Sequence, residues 1–139
     1  MCMLDDSDGC VTMLSEATPV ARKAHKCREC GRQIAAGERY HVERYLWEGK
    51  LHNHKTCAHC DVARQWLQAE CGGWLYGDVK QNLRELAVRA AHAVNTAGHV
   101  PLMRLAVGMK WKWRAPSGRL LGVPRVPQTH LARAAGGQP

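Results

Sequence analysis

Two Cys-x-x-Cys pairs, Cys27–Cys30 and Cys57–Cys60, stand in this chain with residues 31–56 between them. A pair at that spacing sits on one tight turn and presents two sulfurs about 2.3 Å from a shared metal ion; two such turns complete a tetrahedron. The intervening segment is long enough to run out and back as a hairpin. The pattern therefore predicts one structural Zn2+ held by Cys27, Cys30, Cys57 and Cys60. Four protein ligands leave no open coordination position, so the ion is expected to serve folding rather than chemistry. A redox dithiol fits less well, because one pair in a strand-to-helix turn would suffice for it. So does a set of four thiols without metal, given the plausible hairpin between the pairs.

Gly31 follows the second ligand where a zinc knuckle needs a positive φ. Residues 38–47 then alternate, with Tyr40, Val42 and Arg44 on one face and His41, Glu43 and Tyr45 on the other, the period of a strand. Glu48-Gly49 reads as a turn and residues 50–54 as the returning strand. Thr56 is placed to cap a helix from Cys57 to about Glu70, whose apolar stripe is Val62, Ala63, Trp66 and Leu67. Cys71-Gly72-Gly73 ends it. Asp78, with Gln81 in capping-box position, opens a second helix over 78–97 with Val79, Leu83, Leu86, Ala90 and Ala93 or Val94 on one face, stopped by Gly98.

Knuckle, hairpin and then a helix carrying the last ligands is the order of a treble-clef zinc finger. A zinc ribbon, with the second pair on another knuckle, is the simpler alternative. The fold expected is thus small α+β: a treble-clef-like finger, a second packed helix, and a basic, partly flexible C-terminal extension. The division expected is a loose leader over 1–24, a zinc-binding head over 25–98 and the extension over 99–139. Cys2 and Cys10 lie in the leader without a partner pattern and are expected not to be ligands.

One ligand is ambiguous. His54-Lys55-Thr56-Cys57 makes His54 an alternative fourth ligand, and that set resembles the first finger of a LIM domain or a finger of the poly-ADP-ribose-polymerase type. The chain departs from both: only Cys71 follows Cys60, where a LIM domain needs a second complete set, and the aromatic residues of the polymerase type are missing. The all-Cys set is preferred, with His54 and His59 as neighbours able to hydrogen-bond to the sulfurs.

Charge is divided along the chain. Residues 1–85 hold all 12 acidic residues and 12 of the 20 Lys/Arg, so the whole net charge of +8 lies after residue 85. A neutral head with a basic tail suggests a polyanionic partner. Lys110-Trp111-Lys112-Trp113-Arg114, if extended, puts both indoles on one face and cations on the other, suited to stacking on bases while neutralising phosphates. The equal alternative is a strand whose Trp face packs on the head. Arg119, Arg125 and Arg133, among Pro and Gly, read as a flexible arm. Residues 102–107 read as a short strand or helical turn.

The pieces Cys27-x-x-Cys30-Gly31, Gly37-Glu38-Arg39-Tyr40, Trp47-x-Gly49, Thr56-Cys57-x-x-Cys60 and Cys71-Gly72-Gly73-Trp74, with Gly77 following, resemble those of small uncharacterised zinc-binding proteins of bacteriophages and prophages. The resemblance covers 27 to about 85. It implies a phage or mobile-element origin and a bacterial host cytoplasm, and transfers no activity.

No catalytic constellation accompanies the cysteines. His52-Asn53-His54 invites an HNH-nuclease reading, but a contiguous triplet on a strand sends alternate side chains to opposite faces. The expected function is non-enzymatic nucleic-acid binding, DNA before RNA, through Lys110, Trp111, Lys112, Trp113, Arg114, Arg119 and Arg125. The competing expectation is an effector that binds and inhibits an acidic host or anti-phage-defence protein. The acidic N-terminus lacks a secretory pattern and no run reaches the ~20 apolar residues of a membrane span. Neither a membrane nor a small-molecule substrate is expected.

Overall fold

A computed structural model of the chain describes residues 12–71, 73–74, 77–92 and 99–127, without the side chains of 71, 90–92 and 99. Cys2, Cys10, Leu75, Tyr76, Ala93, Val94, Gly98 and Arg133 lie outside the described residues. The protein is a small α+β structure with an antiparallel sheet and three helices.

The sheet orders its strands β1-β4-β5. β4 (Tyr40–Trp47) and β5 (Lys50–Cys57) form the expected hairpin, paired from Trp47↔Lys50 to Tyr40↔Cys57. The turn has positive φ at both central residues, Glu48 at 51° and Gly49 at 73°, the primed geometry whose twist matches a two-residue hairpin. β1 (Thr12–Ala17) pairs with β4 through a bulge between Met13 and Ser15. This corrects the expectation of a loose leader over its described part. Every residue of β1 is exposed, so no alternating burial marks it in the sequence.

β2 (His25–Lys26) and β3 (Gln33–Ile34) frame the first cysteine pair as a miniature hairpin. Gly31, at φ 80°, donates its N–H to Cys27 O at 3.0 Å and closes the turn. The knuckle is tied to β5 by Arg28 N to Lys55 O at 2.8 Å.

α1 (Ala58–Cys71) follows β5 directly. Thr56 does not cap it. It is the penultimate residue of β5, wholly buried, and its Oγ1 has no partner among the described residues. Ala63, Leu67 and Val62 are buried along the expected stripe, and so is Arg64, which apolar periodicity cannot foresee. α2 (Val79–His92) buries Val79, Leu83 and Ala87. The capping box is not formed: the Gln81 amide donates to Glu85 Oε1 at 3.0 Å, and the carboxylate of Glu29 reaches across to accept from Gly77 N at 2.9 Å and Val79 N at 3.3 Å.

The extension differs most from expectation. Residues 99–110 form a third helix, α3 (His99–Lys110), with Leu102, Leu105, Ala106 and Met109 buried. Pro101 is accommodated in its first turn, where backbone N–H groups lack intrahelical partners. The helix ends in a Schellman motif: Trp113 N donates to Gly108 O at 2.7 Å and Lys112 N to Met109 O at 3.0 Å, with Lys112 left-handed at φ 55°. Residues 111–127 then run back over the head as a strap rather than a flexible arm. Trp113 and Met109 share one apolar core with Cys57, Cys60, Leu67 and Leu83. No helix among the described residues is long and apolar enough to cross a membrane.

Candidate metal centre

The fold brings the two cysteine pairs together from opposite ends of the hairpin. Cys27 and Cys30 come from the knuckle, Cys57 from the last position of β5, and Cys60 from the first turn of α1. Their four sulfurs lie within 4.8 Å of one another, and all but Cys30 are buried. All four are free thiols. Soft sulfur donors in a closed tetrahedral set are what zinc takes, so the residues fit a single Zn2+.

Polar hydrogens point at the sulfurs, as they do around metal-bound thiolates. Cys57 N approaches Cys27 Sγ at 3.3 Å, Cys60 N approaches Cys57 Sγ at 3.5 Å, and the Trp113 indole N–H donates to Cys60 Sγ at 3.2 Å. The thiols also divide their protons unevenly. Hydrogen bonding with Cys27 first, then with the other sulfurs, pulls Cys57 down, while Cys27 and Cys57 push Cys30 up and Cys27, Cys30 and Cys57 push Cys60 up. Cys27 falls to about 7, chiefly through Cys30. A crowded buried sulfur cluster cannot carry four negative charges unaided; a divalent ion at its centre would offset half of that charge while attracting all four sulfurs.

His59 lies close enough to Cys57 to help lower its pKa, as expected of a sulfur neighbour, and each of the two histidines also has a partner other than sulfur. His54 Nε2 donates to Glu29 Oε2 at 2.7 Å, and Glu29 lies between the two cysteines of the knuckle. The four-sulfur set thus forms with Cys60 in it and His54 engaged elsewhere. His59 Nε2 donates to Leu121 O at 2.6 Å, which leaves Nδ1 to accept from Arg32 Nη2 at 3.3 Å. Arg32, buried beside the knuckle, is clamped by both carboxylate oxygens of Glu38 at 2.9 and 3.2 Å. Burial works against its charge, but Glu38 and the nearby Cys57 thiolate keep it cationic.

A second polar cluster lies under the sheet. Arg64 donates to Glu43 and, at 3.4 Å, to Glu29, while its guanidinium stands 5.2 Å from the centre of the Trp74 ring. Burial would raise Glu29, yet the bonds from His54 and Gly77 N and the charge of Arg64 outweigh it and hold the carboxyl below its ordinary value. Sequence reasoning missed Glu29 and Arg64. Their one signal was position, a charged residue inside a metal knuckle and another on an otherwise apolar helix stripe.

The triplet His52-Asn53-His54 is dispersed as strand geometry requires. His52 stacks on Tyr45 with ring centroids 5.3 Å apart, His54 faces Glu29, and Asn53 is exposed. The proposed stacking pair is also split. Trp111 is 64% exposed, whereas Trp113 is 4% exposed, buried against the metal centre at φ 59°. Trp113 is therefore removed from the candidate base-stacking residues, and it packs on the head from a helix cap rather than a strand. Lys110, Trp111, Lys112, Arg114, Arg119 and Arg125 are exposed. No family model, curated protein or solved structure matches this chain.

Proposed function

We propose that the protein is a non-enzymatic, treble-clef-like zinc-finger protein of phage or mobile-element type that binds nucleic acid in the bacterial cytoplasm. Knuckle, hairpin and ligand-bearing helix occur in treble-clef order, and the closed sulfur set gives zinc a folding role. The observation that carries nucleic-acid binding is a convergence of cations on the knuckle. The Cε atoms of Lys26 and Lys112, one from the head and one from the strap, both lie 3.9 Å from the point where a side chain on Gly31 would begin. Neither lysine has an ion-pair partner among the described residues. Two ammonium groups brought to one glycine repel each other, and a bridging phosphate relieves that repulsion. Arg28 in the knuckle is also exposed, as are Lys110, Trp111 and Arg114, which neighbour Lys112 in the sequence.

The test is affinity of the zinc-loaded chain for DNA duplexes, single strands and RNA over a range of salt. Log affinity should fall linearly with log salt, by about 0.9 per phosphate contact on a duplex. Lys26→Gln with Lys112→Gln should reduce that slope by about two contacts. Absent or salt-insensitive binding to every nucleic acid would overturn the reading.

A second reading has its own observation. Val88, Val100, Met103 and Val107 are exposed on α2 and α3, and Lys80, Arg84 and Lys110 border a groove of about 270 Å³ with Met103 and Val107. An apolar stripe rimmed by cations suits an acidic protein surface, such as that of a host or defence protein. Capture of one acidic protein from nuclease-treated bacterial lysate, lost on Met103→Asp but not on Lys26→Gln with Lys112→Gln, would favour this reading.

A further inference from the structure

We propose that the cleft between α1, α3 and the strap takes one unstacked nucleobase of a single strand, with Trp66 as its aromatic wall and Arg104 and Arg125 on the flanking phosphates. This rests on the nucleic-acid reading and adds a site to it. The cleft encloses about 500 Å³, the size of a small-molecule site, and is mostly apolar. Trp66, Pro101, Leu121 and Pro124 line it, and no acidic residue does.

Its walls are held before any ligand arrives. The Trp66 indole N–H donates to Arg125 O at 2.8 Å, Leu121 O accepts from His59, and Leu121 N donates to Trp113 O at 2.8 Å. Pro127, at the end of the described strap, is fully buried. A preformed slot with a fixed indole spares a ligand the entropic cost of ordering its own platform.

The charges select among apolar ligands. Arg104 stands on α3 and Arg125 on the strap, so an arginine from each of two separate walls lines the cleft. Both are exposed and neither has an ion-pair partner among the described residues. A fatty acid or aromatic acid offers a single anionic end. One nucleotide within a strand offers a planar ring with a phosphate on each side, which matches a ring slot with a cation on each wall. A base in a duplex is stacked and cannot enter, so the site distinguishes single strands from double.

The experiment compares a short oligothymidine, the same strand with every base removed, and a duplex of equal length, each bound to the zinc-loaded full chain. The abasic strand should bind about tenfold more weakly than oligothymidine. Arg104→Gln with Arg125→Gln should weaken oligothymidine binding and lower the single-strand salt slope by about 0.7 for each phosphate lost. The duplex, held at Lys26 and Lys112, should keep its affinity. Both substituted side chains are exposed, and unchanged zinc content and circular dichroism confirm the fold.

Equal affinity for oligothymidine and the abasic strand overturns the proposal. If salt-dependent duplex binding persists in that case, the nucleic-acid reading survives without this site; if no strand or duplex binds, both fall. A Glu-rich peptide carrying one Trp that outcompetes oligothymidine and is lost in the double variant would reassign the cleft to an acidic protein segment, and so also overturns it.

Discussion

Two buried polar clusters meet α1, and they differ in what neutralises them. Under the sheet, Glu29 and Glu43 converge on Arg64, with His54 donating to Glu29, so the compensating cation is a residue of the chain. At the start of the helix, Cys27, Cys30, Cys57 and Cys60 crowd within 4.8 Å, and the fitting cation is an ion from solution. The first cluster needs only the chain's own residues; the second, on the reading proposed above, would make folding conditional on metal. Glu29 joins them. It stands between the two cysteines of the knuckle, yet its carboxylate caps α2 and pairs with Arg64, so the cysteine cluster and the second helix are anchored by the same turn.

Metal removal should have the largest effect of any perturbation. Structural zinc contributes apparent energies of about 10–16 kcal/mol in small fingers, more than the whole stability of most domains this size. Chelation, or Cys57→Ser, should abolish cooperative unfolding, and the near-ultraviolet signal of Trp113 against Cys60 should go with it. Cys60→Ser is expected to lose stoichiometric zinc. Retention of one zinc per chain in Cys60→Ser would put His54 in the ligand set and make it a member of both clusters.

The ionic cluster should cost less when broken, but still much. Removing one partner of a buried charged network leaves the other uncompensated, which typically costs about 3–5 kcal/mol. Arg64→Met keeps volume while taking the guanidinium away from Glu29 and Glu43, whose side chains are 0% and 3% exposed and which keep His54 and His41 beside them. The unfolding free energy from denaturant melts at fixed zinc should fall by that amount while zinc content stays at one. A loss under about 1 kcal/mol would show that the carboxylates take up protons or water at little cost.

These two clusters were unequally legible in the sequence. Metal spacing is a local signal, and hairpin alternation from Tyr40 to Trp47 is another, so both were readable. β1 was not, because an edge strand with every side chain exposed has no burial pattern to show. The cap of α2 was misread because the accepting carboxylate comes from Glu29, far away in sequence, whereas a capping box looks only three residues ahead. The end of α3 hid for a related reason. Helix stops are recognised by Gly at the left-handed position, and here that position is Lys112, while the glycine of the motif, Gly108, stands where Trp113 must lie.

That close approach gives the next test. A methyl on Gly108 would come 2.3 Å from Trp113 Cζ3 and 2.5 Å from Cε3. Overpacking of a buried ring typically costs about 1–3 kcal/mol. Gly108→Ala should therefore lower the thermal midpoint and shift Trp emission to the red as the strap loosens. Trp113→Phe, which loses the N–H to Cys60 Sγ and part of the buried indole, should cost about 1 kcal/mol for the hydrogen bond and about 1–2 kcal/mol more for the lost packing. A loss beyond that sum would mean that the indole bond to sulfur outweighs the packing, and that strap and metal are coupled electrostatically.

The smallest effect is the one that sets the clusters against each other directly. The hydrogen bond from His41 to Glu43, 3.4 Å from its Nε2, raises the His41 pKa above the ordinary 6.5, against a smaller opposing effect of burial. A group raised on folding stabilises fully below its unfolded pKa and loses that contribution as pH climbs through the folded value. The sulfur cluster slopes the other way, because thiols must shed protons to hold metal and do so more easily as pH rises. Between about pH 6 and 8, where histidine charge changes, the measured stability is then a sum of opposite slopes. His41→Gln should remove the falling part, worth about 0.5 kcal/mol for a partly solvated pair, and leave a stability curve that rises more steeply with pH at constant free zinc. Parallel curves for the variant and the native chain would mean that His41 does not sense Glu43, and that the ionic cluster ends at Arg64.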